Sequence, residues 1–245
     1  MMKLARLTTV ASILVSLVVF ASRSVAQDSA QATGQPAPPA AAPDPVTALK
    51  QNLAASNTAI KAYEWVETTT ISVKGEQKSS TQNRCYYDAT GKLTKTPLGG
   101  EAGKTPGGVR GKVAAKKKEE MSAAVKQAMK LVESYFPLDP ALIQKAKEEG
   151  RFAARPADAS GLVGMDLKSY KKPGDQVSID LDSKAMRLMK VAISSYNTAM
   201  DKDAVNATSE FTTLPDGTTC AVSRTLELKA ESAVIKVANS GHKKT

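Results

Sequence analysis

Gln176-Val177-Ser178-Ile179-Asp180-Leu181-Asp182 is the stretch whose reading decides the fold. Val177, Ile179 and Leu181 alternate with Ser178, Asp180 and Asp182, the period-two pattern of a strand with one apolar face and one wet face. Comparable strands are expected on either side, near 162–170, 185–195, 204–214, 218–228 and 232–239. The turns between them are explicit: Pro173-Gly174 suits a type II turn, Asp182-Ser183-Lys184 a tight one and Pro215-Asp216-Gly217 a hairpin. Connections this short cannot make parallel crossovers. The strands therefore form an antiparallel meander, and its apolar face needs a cover.

Helices supply that cover. Leu49, Leu53, Ser56, Ile60 and Tyr63 fall at helical spacing, which predicts a first helix over 47–61. Strand signals follow over 65–73 and 78–87, joined at Lys74-Gly75-Glu76, with a third short strand after Asp88-Ala89-Thr90-Gly91. Met121, Ala124, Val125, Ala128, Leu131, Val132 and Tyr135 make one apolar helical stripe, with Glu119 and Glu120 placed at the positive end of its dipole. In the next helix Asp139 can cap, Pro140 suits the first turn and Gly150 can terminate. The expected fold class is α+β: an antiparallel meander sheet, curved or half-barrel, with two or three helices packed on its apolar face.

The chain opens with Lys3 and Arg6, an apolar run from Val10 to Ala21, and then Ser24-Val25-Ala26. This is the pattern of a cleavable signal peptide over 1–26, and the run is too short to cross a bilayer, which takes about 20 residues. Cleavage removes Lys3, Arg6 and Arg23, lowering the net charge from +10 by three to +7. Residues 27–46, rich in Pro, Ala and Gln, read as a disordered linker. A single domain over 47–242 and a tail over 243–245 complete the organisation. The location implied is periplasmic or secreted, with no membrane-spanning part after cleavage.

Catalytic chemistry finds little purchase. His242 is the one histidine and falls near the end of the chain, so a histidine-based triad or zinc site would rest on a loose tail. No metal and no cofactor are expected, and the protein reads as no enzyme. Gly99 to Thr105 has one residue too few between its glycines for a phosphate-binding loop, because position 98 is Leu98. Asp166, Asp180 and Asp182 could in principle pair as acid and base in a glycan hydrolase, a distant third reading. Cys85 and Cys220 are an even pair suited to an oxidising compartment, either a disulfide or two separate buried thiols.

A helix, an antiparallel hairpin, intervening helices and a carboxy-terminal meander after a signal peptide resemble the lipoprotein-sorting chaperones of the LolA/LolB type. The Leu214-Pro215-Asp216-Gly217 turn before the penultimate strand and a final strand ending near Asn239 also resemble other exported bacterial proteins without an assigned function. The resemblance implies a curved sheet wrapped around helices, an acyl chain held between them and no catalytic residues.

From the residues themselves, aromatics amount to only 4 %, which leaves room between sheet and helix. Met121, Val125, Leu131 and Val132 could line that room with Val177, Ile179 and Leu181, making the protein a non-enzymatic carrier or binding protein for an apolar or lipid-like ligand. The alternative is an envelope interaction protein that meets an anionic surface through a flexible, glycine-rich basic loop over 98–117 and the lysines that follow. Lys104, Arg110, Lys112, Lys116, Lys117 and Lys118 would make that contact. No nucleic acid is expected, since aromatics for base stacking are not interleaved with these charges.

Overall fold

The computed structural model describes residues 45–101, 108–136 and 138–245. The signal peptide, most of the linker and Lys104 lie outside the described residues.

Fifteen elements follow one another: α1 (Pro45–Ala59), a 3-10 turn (Ile60–Ala62), β1 (Tyr63–Val73), β2 (Glu76–Tyr87), β3 (Leu93–Glu101), α2 (Gly108–Glu133), α3 (Pro140–Glu148), β4 (Phe152–Arg155), β5 (Leu162–Lys168), β6 (Gln176–Asp182), β7 (Arg187–Tyr196), α4 (Met200–Asp203), β8 (Ala204–Thr213), β9 (Thr219–Leu228) and β10 (Ala233–Lys244). Among the described residues, all ten strands join one antiparallel sheet in the order β3-β2-β1-β10-β9-β8-β7-β6-β5-β4. From β4 to β10 it is the meander that the short turns require. The amino-terminal hairpin then docks against the last strand, Tyr63 opposite Lys244 and Val73 opposite Ala233. Strands β3 and β4 stay at the two edges, so this curved sheet is not closed into a barrel.

Local chemistry explains the joints. The β1–β2 loop is two residues long, and Lys74 (φ 53°) and Gly75 (φ 79°) both take left-handed backbone, the type I′ geometry whose twist matches a hairpin. Asp139 caps α3 by accepting from the Ala141 amide at 2.9 Å, and Pro140 occupies the first turn. Helix α2 is much longer than its apolar stripe. Good helix formers such as Ala, Lys and Glu help continue it backwards to Gly108.

Three expectations change here. The segment read as a flexible loop over 98–117 contains the end of β3 and the first turns of α2, with only 102–107 outside the described residues. The tail is not loose: β10 runs to Lys244, and the Thr245 amide donates to the Ala62 carbonyl at 2.8 Å. Cys85 and Cys220 are free and buried. They lie on β2 and β9 with β1 and β10 between them, about three strand spacings or ~14 Å apart, twice the reach of a disulfide.

One apolar core lies on the helix-covered face. It joins Ala128, Val132 and Tyr135, from α2 and the turn after it, to Leu167, Val177, Ile179, Leu181, Leu188, Val191, Ile193, Val205 and Leu228 of the sheet. Leu49 and Leu53 of α1 pack against it, and Asn52 Nδ2 donates to the Ala185 carbonyl at 2.8 Å, fixing α1 over the β6–β7 turn.

Candidate functional site

The seven residues expected to line an apolar site are gathered in or against the packed core, and none of them lines the neighbouring cleft. Val132, Val177, Ile179 and Leu181 are buried in the core, and Met121, Val125 and Leu131 pack against it from α2. Beside them, between α2 and the sheet, opens a cleft of about 330 Å³. Ala124 and Gln127 form its helical wall, Val205 and Leu228 its floor, and Asp203 and Glu231 its polar rim. Ala124 neighbours Val125 in the same stripe, so the cleft continues the helix–sheet seam.

Sequence reasoning missed a second arrangement on the same face. Glu67 on β1 lies opposite Asn83 of β2 and Asn239 of β10, forming a polar row across three strands. Lys95 of β3 reaches over Cys85 to hold both Glu67 oxygens at 2.6 and 2.7 Å. The pair is nearly sealed, with side chains 8 % and 5 % exposed. Buried charges are rarely kept without such pairing, since desolvation of each costs several kcal/mol.

The next rows complete the patch. On one side Trp65 stacks on His242 at 5.9 Å with 18° between ring planes, and Tyr87 tilts against Trp65 at 6.1 Å. On the other, Thr69, Val237 and Arg224 lie side by side on β1, β10 and β9. Arg224 makes no hydrogen bond or ion pair among the described residues; burial pulls its pKa down, and the nearby Glu67 and Tyr87 partly oppose the shift. Two buried polar atoms of the patch also lack a partner among the described residues: Trp65 Nε1, and Asn239 Oδ1, whose amide nitrogen donates to the Ala221 carbonyl at 2.9 Å. The signal for this patch was strand parity: Glu67 shares its side of β1 with Tyr63 and Trp65, so a carboxylate faces inward.

The singled-out acids have structural roles. Arg155 holds Asp166 at 3.0 Å and Asp180 at 2.5 Å, and the Asp182 carboxylate accepts from the Lys184 and Ala185 amides at 2.8 and 2.9 Å, closing the β6–β7 turn. Arg110, Lys112, Lys116, Lys117 and Lys118 sit on one helix rather than a loop. Lys116 is exposed and faces Glu120 one turn on at 4.0 Å. His242 belongs to β10, and burial holds its imidazole below the ordinary range, favouring the neutral ring.

No family model matches the chain, and no curated protein matches it. Two solved structures are similar over 82 % of this chain and 94 % of their own. One is a domain from Vibrio parahaemolyticus provisionally assigned as an outer membrane lipoprotein-sorting protein, at 9 % identity and a TM-score of 0.36. The other is a DUF1329 family protein from Desulfovibrio piger, at 8 % identity and a TM-score of 0.35.

Proposed function

We infer that the protein is an exported, non-enzymatic carrier or binding protein for an apolar, lipid-like ligand, held between α2 and the inner face of the sheet. The observation that carries this reading is the cleft of about 330 Å³ on the seam between the α2 stripe and β8–β9, floored by Val205 and Leu228. Each ligand methylene buried there gains about 0.8 kcal/mol. Met121 lies one turn before Ala124 on α2, and its unbranched, polarisable side chain can adapt where a ligand chain reaches it. The acids that a glycan hydrolase would need are tied to Arg155 or to a turn, and no observation favours the anionic-surface reading over the carrier.

Val125→Trp tests it. Delipidated wild-type protein should bind a fluorescent fatty acid, and the substitution should weaken binding at least about tenfold while lowering stability by no more than the 1–3 kcal/mol of local overpacking. Absence of binding by the wild-type protein, or unchanged binding in a folded Val125→Trp variant, contradicts the proposal.

A further inference from the structure

We propose that the buried polar patch at the hairpin end of the inner face is a seat for an anionic head group, a carboxylate or a phosphate. Arg224 supplies the charge, Trp65 Nε1 a hydrogen bond, and Asn239 Oδ1 an acceptor for a neighbouring hydroxyl. The proposal rests on the carrier reading above for the source of that head group, and on the patch itself for its chemistry.

Charge counting comes first. Lys95 holds Glu67 through two bonds and Arg224 only lies near it, so the three groups leave one net positive charge, on the side of the patch where Arg224 makes no ion pair among the described residues. A partly buried cation in that position favours an anion as its partner. Polar satisfaction points the same way. Trp65 is 6 % exposed, yet its ring N–H has no acceptor among the described residues, and a buried donor left unpaired is costly. An oxyanion facing Arg224 and Trp65 would satisfy both at once. Neutral His242, stacked on Trp65, adds no competing charge.

The surroundings say what is attached to the anion. Beyond the Thr69–Val237–Arg224 row, the inner face turns apolar: first Ile71, Ile235 and Leu226, then Val73, Ala233, Leu228 and Val205. Leu228 and Val205 are the floor of the cleft. The polar row and this last apolar row are six residues apart along β1, about 20 Å at the rise of a strand. A charged seat at one end and, at the other, a cleft floored by Val205 and Leu228 describe an acidic amphiphile lying along the strands.

Trp65 is the chain's one tryptophan, so its emission reports directly on the seat. The test titrates delipidated protein with hexadecanoate, hexadecanol, a lysophosphatidate of equal chain length and inorganic phosphate. Both acids should bind at least about tenfold more tightly than the alcohol, as expected for a charge-assisted contact. Arg224→Gln should erase that preference while leaving hexadecanol binding unchanged, and Arg224→Lys should keep part of it. Trp65→Phe, followed by calorimetry, should weaken the acids alone by a few fold; it also decides the matter if Arg224→Gln fails to fold. Alcohol binding without an acid preference, or a preference that survives Arg224→Gln, overturns the seat and leaves the carrier. Arg224-dependent phosphate binding without any amphiphile binding keeps the seat, as a free-anion site, and removes the carrier. Absence of any binding overturns both.

Discussion

Cys85 and Cys220 show what burial does to a single group. Each is enclosed, and desolvation is the leading cause that pushes both thiols from an ordinary 9.0 up to about 11. Because the folded state holds these protons more tightly than the unfolded chain, their contribution to stability is complete below about pH 9. It is lost as pH rises towards about 11. Thermal unfolding across that window should show a fall that is smaller in the Cys85→Ala/Cys220→Ala variant. At neutral pH a thiol reagent should count two thiols after denaturation and almost none before. A disulfide-linked product on a non-reducing gel would contradict the assignment. The pairing could not be decided from sequence, because it depends on how many strands separate β2 from β9. That number follows from the docking of β1 on β10, a long-range contact that no local pattern encodes. Glu67 was legible in principle through its parity with Trp65, but its partner Lys95 comes from an edge strand whose extent was not foreseen.

At the scale of elements, periodicity carried far. The strands β5 to β9 begin and end within two residues of expectation, since each is bounded by a turn with its own chemistry. The four-residue strand β4 and helix α4 escaped, being too short to show a period. Helix α2 was read from its stripe, but the stripe says nothing of how it is anchored. Its last turn leads into Tyr135, whose hydroxyl donates to Asp175 Oδ2 at 2.5 Å and lies 2.7 Å from Ser195 Oγ. Asp175 also accepts from the Lys171 and Lys172 amides at 3.1 and 3.0 Å, so one buried carboxylate ties the helix to the β5–β6 turn and, through Tyr135, to β7. Burial and this carboxylate both push the Tyr135 pKa upwards, keeping the donor proton in place. Tyr135→Phe should therefore cost about 1–3 kcal/mol in urea unfolding. A cost below a few tenths of a kcal/mol would mean that apolar packing alone holds α2.

Over the whole molecule, β1 docks on β10, so the polar patch exists only when these two strands, far apart in sequence, are paired. The cleft depends instead on α2 and the central meander. The fold and the proposed ligand class thus draw on different parts of the sequence, and the α+β meander was readable where the patch was not. Native mass spectrometry of purified mature protein, with extraction and identification of whatever co-purifies, tests the carrier reading most directly. The account predicts a bound species of one or more acyl-chain masses, released on denaturation and carrying a carboxylate or phosphate. Protein that emerges only at its bare mass, and that takes up no acyl chain when one is supplied, would contradict it.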